Sequence, residues 1–350
     1  MAMAWLRKLL GGSDDAPTTQ LASAAVREES AHAEKEDSPV SNGRDSAQLY
    51  EEYRAELDRA FCLELFGTDR LYVNSTDEQR ASARQLARKL AQAEVRTEQL
   101  PRKPSTLPSL MKLLKQDELS YAQIAESLLK DPSLTSQVLR TVNSPFFRLN
   151  NKTVESLDQA IFIMGVGGIK KVVSAAILLP VFKGAQKTSA FSETVWQWAL
   201  SAGKSVDELF QARGESEGSA YLLGLLPALA MLLICQEIDA VEGGRPEEHT
   251  LLPIQKLDIF KSVGWKYCIA IRKEWGMPEE FDDYLYGLKQ SEHEVHSDAL
   301  ATALLVAQYA LVQERNGVPI SVSQLSQITS SSFEENTRIM AQLQGRIERN

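Results

Sequence analysis

Cysteine and histidine are scarce in this chain, and nothing in it has the alternating pattern of a β-strand. The three cysteines, Cys62, Cys235 and Cys268, are far apart and have no C-x-x-C spacing. This excludes a disulfide framework or a cysteine-based zinc cluster and fits a reducing, cytoplasmic compartment. Lysine and arginine are outnumbered 38 to 47 by aspartate and glutamate, for a net charge of −9. That balance argues against a general nucleic-acid binder. No Cys/His arrangement occurs, so a cysteine nucleophile has no visible base. Residues 1–10 (MAMAWLRKLL) lack the basic start and cleavage-like site of a secretory signal.

One long run lacks charge. Residues 218–236 (GSAYLLGLLPALAMLLICQ) are just long enough to span a membrane. Acidic rather than basic residues flank the run, and Gly224 and Pro227 interrupt it, so a buried core helix is the preferred reading over a transmembrane segment.

What is present is helical periodicity. Trp5, Leu6, Leu9 and Leu10 recur at helical spacing around Arg7 and Lys8, which fits a docking peptide for a partner or a membrane surface as well as a frayed terminus. Residues 11–46 hold three bases and eight acids, a net of 3 − 8 = −5. With few large apolar side chains, they predict a disordered acidic linker. A helical extension is expected over 47–100. Its first helix carries Leu49, Tyr53, Leu57, Phe61, Leu65 and Phe66 up to a break at Gly67, and a charged, exposed helix follows over 77–97. Pro101, Pro104 and Pro108 mark the linker into a main domain over 101–316.

In that domain Ser120 and Gln123 form a capping box before a helix with Tyr121, Ile124, Ala125, Leu128 and Leu129 on one face. Asp131-Pro132 opens the next helix, with Leu134, Val138, Leu139 and Val142 inward. Ser156 and Gln159 form a second box. The helix they start is expected to break at 165–168, resume at 169 and stop at Pro180. Further helices are expected over 192–210, 255–275, 278–288 and 297–315, with a loop over 238–252. Ser321 and Gln324 cap a C-terminal helical pair in 317–350. The fold class is all-α.

Several local patterns carry a functional reading beside a structural one. His293 and His296, with Glu292, Glu294 and Asp298 nearby, have the spacing of a metal pair, but a solvated loop before an N-cap at Ser297 is preferred. Residues 165–168 (GVGG), with Lys170 and Lys171 behind them, look like a phosphate loop but follow a helix rather than a strand, so a tight turn is preferred. Residues 120–143 have the shape of a helix-turn-helix, yet the second helix offers only Gln137, Arg140 and Asn143 to a base edge. Asn143, Ser144, Phe146, Phe147 and Arg148 (within NSPFFR) either close a helix end or form a recognition surface for a partner or small ligand, with Lys152, Lys170 and Lys171 adding positive charge.

Spread over residues 107–309 are motifs that together resemble an HDOD domain, the output-type relative of the HD and HD-GYP phosphohydrolases. Leu107-Pro108-Ser109-Leu110 resembles its LPxL opening. Ile124-Ala125 with Asp131-Pro132-Ser133-Leu134 resembles its "IA…DPxL" helices, and residues 139–147 (LRTVNSPFF) its Asn-Ser-x-Phe/Tyr element. Gln159-Ala160-Ile161 with Gly165 resembles "QAI…LG", Trp196 falls at a frequent family tryptophan, and Trp275-Gly276-Met277-Pro278 resembles WGLP.

The departures from that pattern fall on the metal ligands. Where the HD helix would read Gly-Leu-Leu-His-Asp, this chain reads Gly224-Leu225-Leu226-Pro227-Ala228. Trp196-Gln197-Trp198-Ala199 stands for Trp-x-His-Ser, and Tyr286-Gly287-Leu288-Lys289 lies roughly where relatives carry His-His. The resemblance thus implies a phosphohydrolase-like fold with its metal site erased and no cofactor. It implies a bacterial signal-transduction adaptor that binds a protein partner, with control by a nucleotide second messenger. The competing readings are a residual metal-dependent nucleotide phosphodiesterase with a non-standard site and a transcriptional regulator using the 120–143 pair.

Overall fold

From Ala220 onward the uncharged run forms the innermost helix of the fold. In a computed structural model the described residues are 46–67, 75–115, 120–148, 152–184, 189–214, 219–246, 249–289, 299–316, 320–329 and 331–344. Trp5, Leu6, Leu9 and Leu10, the linker up to residue 45, and His293 with His296 lie outside them. The described residues form thirteen α-helices and one 3-10 turn, with no strand. The chain divides into two units, Met1–Leu49 and Tyr50–Asn350.

Helices α1 (Ser46–Phe66) and α2 (Asp77–Gln92) precede the proline linker, and α3 (Leu107–Leu114), α4 (Tyr121–Leu129), α5 (Pro132–Val142) and α6 (Leu157–Gly184) follow it. The bundle continues with α7 (Ser189–Arg213), α8 (Ala220–Glu242) and α9 (Pro253–Trp275). It closes with α10 (Phe281–Gly287), α11 (Ala299–Asn316), α12 (Val322–Gln327) and α13 (Phe333–Gln344). Both α8 and α6 are long and apolar enough to cross a membrane, and 89% of the apolar window of α8 is buried inside the protein. Leu222, Leu223, Leu225, Leu226, Leu229 and Met231 are wholly enclosed, as expected for a helix with neighbours on every side.

Helix α8 packs most extensively on α7, which also carries α11 and α13, while α9 covers another side. Two glycines set the α7–α8 crossing. A Cβ on Gly224 would fall 2.6 Å from the Cα of Gly203 and 2.8 Å from the carbonyl of Ala202, so the backbones touch where side chains would normally stand. The glycine of the HD-like sequence at 224 thus has a packing reason of its own.

The extension from Tyr50 packs onto this bundle within one unit. Phe61 of α1 meets Trp198 of α7 edge to face at 5.2 Å. Helix α2 docks on α9, where the Lys266 ammonium donates to the carbonyls of Leu90 (2.9 Å) and Ala91 (3.0 Å), closing the α2 C-terminus. Gln79 donates to the carbonyl of Thr250 at 2.9 Å. The C-terminal pair is anchored by Asn336, which donates to Ser326 (2.9 Å) and Thr329 (3.2 Å), while α13 packs on α7 and α11.

The capping boxes at Ser120/Gln123 and Ser321/Gln324 form as expected, and Asp131 accepts from the N–H groups of Ser133 and Leu134. The box at Ser156 is displaced: Gln159 N–H donates to Ser156 Oγ, but the Gln159 side chain accepts from Glu155 one residue early.

Four expectations are corrected. The break at 165–168 is confined to Gly165 (φ 67°), after which α6 continues at once. Pro180 does not end α6, which runs on to Gly184. The proline is exposed and sits in the last turns of the helix, five residues from its end. Helix α8 continues to Glu242, so the loop is shorter than 238–252. The buried Glu242 carboxylate accepts from Leu251 N–H and pairs with Lys256 at 3.1 Å, fastening the returning chain. Tyr121 and Leu129 are 55% and 61% exposed, since α4 has neighbours only on the side of Ile124, Ala125 and Leu128.

Candidate functional site

The three stretches at which the sequence departs from the ligand pattern it resembles converge in space. Trp198 on α7, Pro227 on α8, and Leu288 with Lys289 just after α10 all line a single cleft of about 440 Å³. Each is delivered by an element with a local reason to be there. Trp198 lies five residues before Gly203, near the α7–α8 crossing, and Pro227 lies one turn beyond the Gly224 contact. Residues 288–289 are positioned by α10, whose Asp282 takes two bonds from the buried Arg272 guanidinium of α9, one of them at 2.8 Å. Ahead of α10, Gly276 caps α9 in the left-handed conformation (φ 63°), and the Trp275 indole donates to the Pro101 carbonyl at 3.0 Å.

The inner wall is apolar, with Leu304 and Leu305 of α11 beside Pro227 and Cys268. Burial drives the Cys268 thiol far above its usual range, so it stays protonated. Trp198 stands edge to face against Phe61 at 5.2 Å and Phe260 at 6.0 Å. Phe260 lies back along α9 because residue 264 is glycine: a Cβ there would come within 2.8 Å of the ring. Two polar atoms lie enclosed behind this wall. Trp198 Nε1 and Gln308 Oε1 are buried and have no hydrogen-bond partner. Each such orphan costs on the order of 1–3 kcal/mol.

Three basic side chains line the cleft beside Asp258. Arg54 and Lys261 share the buried carboxylate of Asp58, the arginine at 3.3 Å, and Lys289 Nζ sits 5.0 Å above the ring of Trp265. This donor set does not fit a divalent ion. Asp258 is the acidic lining residue, the neighbouring thiol is protonated, and three cations crowd the same space. Among the described residues no group of three or more His, Cys, Asp or Glu could hold a metal.

The sequence profile of the HDOD domain matches residues 100–286, just over half of the chain. This chain belongs to the HDOD family. An HDOD domain protein of unknown function from Geobacter sulfurreducens superposes with a TM-score of 0.52 at 19% identity, covering 76% of this chain and 98% of the other. A Shewanella amazonensis SB2B protein provisionally named a phosphohydrolase gives 0.51 at 18% identity, covering 75% and 94%. The uncharacterized protein YuxH of Bacillus subtilis is 24% identical over 194 residues, 51% of this chain and 46% of that protein. The chain therefore spans about half the length of that relative.

In this HDOD domain the 143–148 segment closes a helix end. Asn143 Nδ2 donates to the carbonyls of Leu139 (2.8 Å) and Val154 (2.9 Å), and its Oδ1 accepts from Val154 N–H (2.8 Å). Ser144 Oγ donates to the Thr141 carbonyl at 2.7 Å. Phe147 is buried against Phe146, ring centroids 4.9 Å apart, with Arg148 half-buried behind them and Lys152 exposed. The two lysines that follow the glycine turn part company. Lys170 is buried and reaches the Leu114 carbonyl at 3.3 Å, whereas Lys171 pairs with Asp207 and Glu208 of α7. Ser144 and Phe147 instead border a second groove of about 610 Å³ with Arg140, Lys183, Glu193 and Trp196.

Asn143→Ala would strand both Val154 backbone groups. It is expected to lower the unfolding free energy by about 2–3 kcal/mol, read from urea denaturation. Asn143→Asp should retain part of the loss, since a carboxylate still accepts but cannot donate; equal losses in the two variants would contradict this role.

Arg54, Trp265 and Gln308 were not legible as site residues. Gln308 alone left a trace, as a polar side chain inside the apolar run 303–312. Trp198 was visible only as a missing histidine.

Proposed function

We propose that this HDOD protein is a cytoplasmic, non-catalytic signal-transduction module that acts by binding a protein partner, with a nucleotide second messenger as its input. One observation carries the reading. The positions at which the resemblance calls for metal ligands hold Trp198, Pro227-Ala228 and, roughly, Tyr286 to Lys289, and of these Trp198, Pro227, Leu288 and Lys289 line one cleft without ligating chemistry. A hydrolase of this type needs imidazole and carboxylate to fix an ion that activates water. Here the same space is occupied by an indole, a pyrrolidine ring and an ammonium group.

For the partner, we place contact at residues 143–148 with Lys152, where Arg148 and Lys152 add positive charge to an acidic chain, and at Trp5, Leu6, Leu9 and Leu10 on their acidic linker.

The test is elemental analysis of the purified full chain together with hydrolysis of generic and cyclic-dinucleotide phosphodiesters. The expected result is no stoichiometric iron, manganese or zinc and no turnover above background. Stoichiometric metal with turnover would overturn the proposal and direct attention to carboxylates outside this cleft.

A further inference from the structure

We propose that helix α2 and the linker after it form a docking surface for the phosphate backbone of double-stranded DNA, without regard to base sequence. The surface is separate from the cleft and from residues 143–148, and the inference does not rest on the reading of the chain as a non-catalytic module.

The net charge of −9 hides an uneven distribution. Residues 80–103 hold seven bases against Glu94 and Glu98, a balance of 7 − 2 = +5, which leaves 31 − 45 = −14 for the rest of the chain. All seven bases are exposed. Arg80 is held by Asp77 at 2.6 Å. Arg84, Arg88, Lys89, Arg96, Arg102 and Lys103 make no ion pair with a described residue. Lys89 complements the negative end of α2, and Lys103 lies over the α9 cap, its Nζ 3.5 Å from where a Cβ on Gly276 would stand. The four arginines have no such local use. Arg84 moreover lies four residues from both Arg80 and Arg88, a spacing at which like charges weaken a helix.

The segment is fastened along α9. Gln79 bonds the Thr250 carbonyl just ahead of α9, Lys266 closes the α2 C-terminus, and the Trp275 indole bonds Pro101 at the far end. The 23 residues of α9 span about 35 Å at 1.5 Å each, roughly one turn of a B-form duplex. Arg80, Arg84 and Arg88 stand about 6 Å apart along an exposed ridge of α2, whose other face buries Leu86 and Leu90.

Chemistry selects the partner. Five of the seven bases are arginine, whose planar fork takes two phosphate oxygens at once. Residues 80–103 hold no aromatic side chain on which an unpaired base could stack, which disfavours a single strand. Their large apolar side chains are buried or half-buried, leaving nothing to enter a bilayer. The acidic remainder of the chain repels a polyanion, so binding should be weak and confined to low salt.

Fluorescence anisotropy of a labelled duplex of about 20 base pairs, titrated with the full chain at about 50 mM salt, tests this. Saturable binding with a Kd of about 1–100 µM is expected, the same for a shuffled sequence. Affinity should fall about a hundredfold between about 50 and 200 mM salt, as for roughly three or four neutralised phosphates. Arg84→Gln with Arg88→Gln should weaken binding at least about tenfold and lower the salt slope by about 2. The melting temperature should not fall, because glutamine is a good helix former. Arg140→Gln, on the second helix of the 120–143 pair, should leave the affinity within about twofold.

No saturable binding at low salt would overturn the inference. So would binding that Arg140→Gln abolishes and the α2 double variant spares, or binding as tight to a single strand or to polyglutamate. Sedimentation with vesicles of phosphatidylcholine and phosphatidylglycerol, by a protein that ignores the duplex, would overturn it as well. Metal content and turnover bear only on the non-catalytic reading, so either proposal can fail alone.

Discussion

Replacing Gly224 by alanine is expected to lower the unfolding free energy by about 2 kcal/mol, and valine should cost more. On helix propensity alone the change to alanine would gain about 1 kcal/mol. That gain is outweighed because the new Cβ would fall 2.6 Å from the Gly203 Cα and 2.8 Å from the Ala202 carbonyl, which are backbone atoms. They can yield only if α7 and α8 separate along their length, and overpacking of this kind costs about 1–3 kcal/mol or more. A total stability of about 5–15 kcal/mol makes such a loss easy to measure in a thermal or urea melt.

Gly167→Ala is the contrasting variant. Gly167 lies on an exposed face of α6, and nothing stands within 4 Å of where the alanine methyl would go. The substitution should therefore stabilise by about 0.5–1 kcal/mol. Equal effects at 167 and 224 would contradict the backbone-contact account. Because Pro227 and Trp198 flank this crossing, Gly224→Ala should also disturb the cleft, whereas Gly167→Ala should not.

Asp282→Ala is expected to cost about 3 kcal/mol. Arg272 has a side chain only 8% exposed and gives two bonds to Asp282, which is itself 22% exposed. Removing the carboxylate leaves a buried guanidinium unpaired, and breaking a buried pair in this way costs roughly 3–5 kcal/mol, reduced here by the partial exposure of the acid. The double variant Arg272→Met with Asp282→Leu should recover most of the loss, since a buried ion pair is often no more stabilising than apolar residues of similar volume. Denaturant midpoints of the two variants decide the matter; a double variant as unstable as the single would show that packing, not the stranded charge, holds α10. Since α10 leads directly into Leu288 and Lys289, Asp282→Ala should also loosen the mouth of the cleft.

Most of the helical layout was legible in the sequence because its signals are local. A capping box closes within four residues, as at Ser120/Gln123 and Ser321/Gln324, and an Asp-Pro start is fixed by its own two residues. The misjudged positions depended on what lies across the chain. Pro180 reads as a terminator until it is known to face solvent. Tyr121 and Leu129 read as core until α4 is seen to have neighbours on one side only. The extent of α8 past residue 238 was hidden because its last turn is held by Glu242 reaching forward to Leu251 and Lys256. Burial alone would lower the Lys256 ammonium, but Glu242 and Asp239 together hold it above its ordinary value.

The sequence by itself determined the helical class, the buried character of most of the uncharged run, and the absence of His and Asp at 198, 227–228 and 286–289. Those are properties of residue type, spacing and order, which need no partner to be defined. Only the tertiary structure decided that those three places share one cleft, that Lys170 and Lys171 are drawn apart to Leu114 and α7, and that Asn143 closes a helix end. Only it showed Trp198 and Gln308 each holding an unanswered polar atom. Burial, pairing and the absence of a partner are relations between segments distant in the chain, and packing alone brings those segments together.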